Sequence, residues 1–147
     1  MTSAQELSTL RDLQRLIEER AKAEHAGAIK AKKSASKALE ESQARLVAGD
    51  AALARYSDEP DFELHQFQIL ASLVNQFEDD VHAKSADHSE VCEREANART
   101  RRQREEKLTD HLSDQLHQTT RKERRKAEDR KAREFLSIRA ARTGAAE

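Results

Sequence analysis

Tyr56-Ser57-Asp58-Glu59-Pro60-Asp61-Phe62 contains the only proline of the chain and separates two long polar segments that have almost no helix breakers. Four of the five aromatic residues, Tyr56, Phe62, Phe67 and Phe77, lie in it or shortly after it. A break of this kind between helix-forming arms reads as the bend of a helical hairpin. Asp58 is placed to cap the following helix, and Pro60 fits its first turn, where the missing N–H does no harm. The expected organisation is one all-α, two-helix antiparallel coiled-coil hairpin over 1–147. Helix 1 spans about 4–56, the turn 57–60, helix 2 about 60–142, and a basic tail 121–147.

Composition agrees with long helices. Ala, Glu, Lys, Leu and Arg together make up 56% of the 147 residues, a bias typical of coiled coil. Aromatics are 3% and charged residues 37%, which permits a thin seam between helices but no thick core. The same low hydrophobicity and high charge also mark disordered chains. The scarcity of Pro and Gly, with apolar residues at helical spacing, argues for helix, with arms that can fray without a partner.

The first arm opens on Ser3 and Glu6, spaced as a capping box. Leu7, Leu10, Leu13, Leu16 and Ile17 follow at spacings that make an apolar stripe. The stripe thins to alanine and serine among lysines and returns as Leu39, Leu46 and Leu53, a seven-residue repeat ending beside Tyr56. Gly27 and Gly49 read as weak spots inside this helix, each costing about 1 kcal/mol relative to alanine.

The second arm begins with Phe62, Phe67, Ile69, Leu70, Leu73, Val74, Phe77 and Val81, the most apolar window of the chain and too broad for one stripe. Residues 92–107 are almost wholly charged or small, and Leu108, Leu112 and Leu116 then restore a stripe. A basic run, 121–126, leads to Phe135, Leu136 and Ile138, with Gly144 as a natural stop. Glu18–Lys22, Glu90–Arg94, Glu95–Arg99 and Asp129–Arg133 place acid four residues before base, each pair adding about 0.2–0.5 kcal/mol to an exposed helix.

Folding at the turn makes a register expectation. With Leu53 opposite Leu64, facing positions have numbers that add to roughly 117. Leu46 then meets Leu70 or Ala71, Leu39 meets Phe77, Ala35 meets Val81, and Ala21 meets Ala96. Leu7 and Leu10 meet Leu108 and Leu112, whereas Leu13 and Ile17 fall opposite Arg104 and Thr100. At 1.5 Å per residue the helices would be about 78 and about 125 Å long, so the second runs past the first by about thirty residues. That unpaired tail, with Phe135, Leu136 and Ile138, is expected to be a binding segment.

Charge is uneven although the net value is −1. Residues 1–98 carry 12 basic and 19 acidic groups, and residues 99–147 carry 15 basic and 9 acidic. An acidic hairpin with a basic tail implies different partners at its two ends. No apolar run is long enough to span a membrane. The start, Met-Thr-Ser-Ala-Gln, lacks signal-peptide features, and a single cysteine forms no internal disulfide, so a cytoplasmic protein is expected.

Chemistry has little to work with. His88 and Cys92 can share a helix face with Glu95 nearby, but zinc takes three or four convergent ligands and no second cluster is evident. His82/His88 and His111/His117 are six apart and point to different faces. There is no glycine-rich phosphate loop and no nucleophile motif. Neither a metal, a cofactor nor catalysis is expected. The basic tail could bind nucleic acid through phosphates, yet Glu123, Glu128, Asp129 and Glu134 interrupt it, which favours a solvated helix or insertion into an acidic protein cavity.

The chain resembles the FliJ/YscO family, the central stalk proteins of flagellar and type III secretion export. The likeness lies in Leu10-Arg11-Asp12-Leu13 near a helix start, in Gln66-Phe67-Gln68-Ile69-Leu70 after the bend, in the long Glu/Arg/Lys/Gln helix, and in Arg133-Glu134-Phe135 followed by Arg139-Ala140-Ala141-Arg142. It covers the whole chain. The resemblance implies a monomeric coiled coil standing like a rotary-ATPase gamma stalk in a hexameric export ATPase. It also implies contact with the export gate, handling of secretion chaperones, and a place at the base of the secretion apparatus; the missing signal peptide leaves export by that apparatus open. Carried onto this sequence, Leu7, Leu10, Leu13, Ile17, Arg133, Phe135 and Arg139 would face the ATPase. Phe67 and Leu70 would face the gate, although Ala71 stands where the family has a leucine one turn after the aromatic. The alternatives are a generic coiled-coil adaptor or scaffold and a nucleic-acid-binding basic helix.

Overall fold

The computed structural model describes residues 3–145. Among them are two helices, α1 (Ala4–Ser57, 54 residues) and α2 (Leu64–Gly144, 81 residues), and no strand. The expected all-α helical hairpin is the fold. Its residues divide into two units: 21–102, which contains the turn, and the two terminal segments, up to 20 and from 103 onward. The last two positions assigned to the basic tail lie outside the described residues.

The capping box forms at the start of α1. Ser3 N–H donates to Glu6 Oε2 at 2.9 Å, and Glu6 N–H donates to Ser3 Oγ at 3.2 Å. The Ala4 N–H donates to Glu123 Oε1 of α2 at 3.2 Å, which marks where α1 begins along α2. Residues 124–144 of α2 run on past that point and are exposed, about twenty residues rather than about thirty.

The start of α2 differs from expectation. It begins at Leu64, so Asp58 does not cap it and Pro60 lies in the connection. The Tyr56 hydroxyl holds the chain there. It donates to Gln66 Oε1 at 2.8 Å and accepts the Glu63 N–H at 3.2 Å. The ring of Phe62 packs between Tyr56 and Phe67, with centroids 5.8 and 5.4 Å away. Seating Phe62 between those rings uses the residues that would otherwise have been the first turn of α2.

The seam is regular. Along α1 the positions 4, 7, 11, 14, 18, 21, 25, 28, 32, 35, 39, 42, 46, 49, 53 and 56 are all buried or half-buried. Along α2 the same holds for 67, 70, 74, 77, 81, 84, 88, 91, 95, 98, 102, 105, 109, 112, 116 and 119. Both series alternate steps of three and four, the spacing of an a/d coiled-coil seam. Gly49 sits against Val74 and Phe77, and His25 lies within bonding distance of Glu95 and Arg102. These contacts set facing positions to add to roughly 123, not 117, a slide of nearly one heptad.

The expected pairs change accordingly. Phe77 lies against Gly49 rather than Leu39, and Leu53, not Leu46, takes Leu70 as its facing position. Gly49 is no weak spot, because the ring of Phe77 occupies the space where a side chain would stand: a Cβ there would be 3.0 Å from Cδ2. Gly27, by contrast, has nothing within 4 Å.

Candidate functional site

Within unit 21–102 the seam carries a buried polar cluster that apolar patterning did not reveal. His25 and Glu95 are 6% and 4% exposed, and Glu95 Oε1 is 3.1 Å from His25 Nε2. Arg99, one turn along α2, donates to both carboxylate oxygens at 2.7 Å. Lys32 Nζ stands 3.7 Å from Glu95 Oε2. Hydrogen bonds from Arg99, then from His25, hold the Glu95 carboxyl down at about 2 from its ordinary 4.5, against the opposing effect of burial. Beside it Arg101 bridges to Glu24 at 2.9 Å. Ser42, 2% exposed, donates to Asp80 nearer the turn. A signal for this cluster existed: the repeat of Leu39, Leu46 and Leu53, continued backwards by sevens, lands on Lys32, His25, Glu18 and Arg11.

Cys92 and His88 do approach each other, with Sγ 3.6 Å from Nε2. The carboxylate of Glu95 is engaged elsewhere by Arg99, His25 and Lys32. No group of three or more metal-ligating side chains occurs among the described residues.

At the turn Phe67 and Leu70, the expected gate-facing pair, are seam residues and half-buried. Their outward neighbours are more accessible: Leu64 is 62%, Ile69 56% and Leu73 42% exposed. A shallow groove along this face is lined by His65, Gln68, Ile69, Ser72, Leu73 and Gln76. From Leu64 to Phe77 no Asp, Glu, Lys or Arg occurs, in a chain that is otherwise rich in them.

In the unit of the terminal segments, the leucine stripe of α1 is split. Leu7 faces the seam and is buried, whereas Leu10, Leu13, Leu16 and Ile17 are 45–63% exposed. Arg11, Gln14 and Glu18 hold the seam instead, with Gln14 donating to the Glu105 carboxylate. Leu10, Leu13 and Ile17 each stand one residue away from a seam position, which turns them about 100° outward. Three-and-four spacing identifies a stripe but not the direction it faces. Phe135, Leu136 and Ile138 of the tail are 55–65% exposed, and Arg133 and Arg139 beside them are exposed too. Six of the seven expected ATPase-facing residues are therefore accessible, and Leu7 is not.

No described helix is long and apolar enough to cross a membrane. In comparisons with protein-family models, curated proteins and solved structures, nothing matches this chain.

Proposed function

We propose that this chain is a stalk-type binding protein of the FliJ/YscO kind, without catalytic activity of its own. Its terminal segments would engage a hexameric export ATPase from the cytoplasmic side, and its turn region the export gate and secretion chaperones. One observation carries the reading. The unit of the terminal segments leaves Leu10, Leu13 and Ile17 uncovered on α1, and Phe135, Leu136 and Ile138 uncovered on an unpaired basic stretch of α2. Monomeric proteins seldom leave apolar groups clustered in water without a partner to cover them. The resemblance in Arg133-Glu134-Phe135 and Arg139-Ala140-Ala141-Arg142 names the ATPase as that partner.

An unpaired helix at the centre of a symmetric ring gives each ATPase subunit a different neighbour. That asymmetry can bias ring assembly and nucleotide turnover. For the gate, the accessible groups are Ile69 and Leu73, with Phe67 and Leu70 shaping the surface from within. The deciding experiment is co-purification with the cognate export ATPase, and ATPase stimulation, for the full chain and for a chain lacking 121–147. Binding and stimulation by the full chain alone support the proposal. An elongated monomer that neither co-elutes nor stimulates leaves the adaptor reading in its place.

A further inference from the structure

The turn sequence and the seam point to two different alignments of the same helices. Asp58 and Pro60 carry N-cap and first-turn character, and Glu59, Asp61 and Glu63 would place acid in the first turn of a helix starting there, where the helix dipole favours it. The structure uses none of this: α2 starts at Leu64, with no acidic residue in its first turn. A start near 58–60 moves the centre of the bend about three and a half residues back, which slides α1 along α2 by one heptad, roughly 10 Å. A full heptad keeps the same residues in the seam.

In the slid alignment, where facing numbers add to roughly 116, Leu46 faces Leu70, Leu39 faces Phe77 and Ala35 faces Val81. These apolar layers are at least as good as the observed ones. What the slid alignment loses is specific. Lys32 leaves Glu95, 3.7 Å away in the structure, and comes opposite Lys84. His25 leaves Arg102, whose Nη1 is 3.4 Å from Nδ1. Phe77 leaves the space above Gly49, where it approaches to 3.0 Å of an added Cβ. Polar groups at a and d positions are the best-attested selectors of coiled-coil register.

We propose that the unit 21–102 has a second register one heptad away, with α2 starting at Asp58–Pro60, and that Lys32, Lys84 and Gly49 hold the chain in the observed one. The hairpin is thereby a sliding device, in which an event at the turn moves one helix along the other. This inference concerns the seam alone and stands whether or not the chain engages an export ATPase.

The test traps each register by oxidation in the full chain, with Cys92→Ser removing the native thiol. Ala35→Cys with His88→Cys reports the observed register, and Ala28→Cys with His88→Cys the slid one, since thiols a heptad out of line are too far apart to bridge. In the otherwise unaltered chain the 35–88 link should form and the 28–88 link should not. Adding Gly49→Ala and Lys84→Glu should reverse this, making 28–88 the dominant link with helicity retained by circular dichroism. A doubly substituted chain that stays helical and still links only 35–88, or neither pair, overturns the proposal. If that chain loses helicity, Lys84→Glu alone decides: it adds no bulk at a close contact and should yield a measurable 28–88 link, and its failure to do so also overturns the proposal.

Discussion

Gly27 and Gly49 look alike in the sequence, both being glycines inside a long helix, and their surroundings make them opposites. Gly27 has open space around it, so Gly27→Ala should stabilise the chain by about 1 kcal/mol through helix propensity alone. Gly49 lies under the ring of Phe77 and a methyl of Val74. Gly49→Leu should therefore destabilise by about 1–3 kcal/mol through overpacking. Urea unfolding of the two variants, read against the parent, checks the opposite signs. Glu95 allows a different test. Its carboxyl titrates near 2 in the fold, against an ordinary 4.5, so between those values the unfolded chain takes up the proton first. Stability from this residue is complete above about 4.5 and is lost as pH falls toward about 2. Melting temperature should drop across that window in the parent, and the Glu95→Gln variant should show a shallower drop.

At the scale of elements, the connection explains why Phe67 is a poor choice for a clean binding variant. It stacks on Phe62, which stacks on Tyr56, so truncating it loosens the turn as well as any outward contact. Phe67→Ala should cost about 1–2 kcal/mol of stability, less than a fully buried phenylalanine. Ile69 and Leu73 are more than two-fifths exposed. Ile69→Ala with Leu73→Ala should change stability by about 0.5 kcal/mol or less and, on the proposed function, weaken binding to an export gate. Calorimetry on both proteins, with a binding titration on the double variant, separates the two effects. The terminal part of α1 makes the corresponding case. Leu10→Gln, Leu13→Gln and Ile17→Gln together should leave thermal unfolding nearly unchanged and, on the proposed function, abolish co-purification with an export ATPase, whereas Leu7→Gln should lower stability first.

For the molecule as a whole, the hairpin was legible because so little in the sequence could stop a helix outside 57–63. The outer helix ends followed from Ser3, Glu6 and Gly144, where local chemistry decides them, whereas the start of α2 did not follow from Asp58 and Pro60. The alignment of the arms was not legible, since apolar spacing fixes a seam only modulo a heptad. The choice among alignments rests on Gly49, Lys32, His25 and Glu95, none of which is a large apolar residue, although the leucine repeat continued backwards reaches Lys32 and His25. Which way the leucine stripe faces was not legible from its spacing either, because a chain this polar can place Arg11, Gln14 and Glu18 in its seam and leave Leu10, Leu13 and Ile17 outside. Uneven charge remains relevant to function at this scale. If 121–142 enters an acidic cavity, its affinity should fall as salt is raised from about 50 to about 300 mM, because exposed charges are increasingly screened. An equilibrium binding series at three salt concentrations measures it, and a flat response would assign the contact to Phe135, Leu136 and Ile138 alone.

The chain has one tyrosine and no tryptophan, and that tyrosine is the residue whose hydroxyl bridges Glu63 and Gln66 at the bend. Beyond the absorption range of phenylalanine, near-ultraviolet absorbance and intrinsic fluorescence therefore observe a single locus. Emission excited at about 280 nm reads the quenching and polarity around Tyr56, and far-ultraviolet dichroism reads both helices. A partner arriving at the bend, or a bend that opens before the arms melt, would be visible without any label as a disagreement between those two signals.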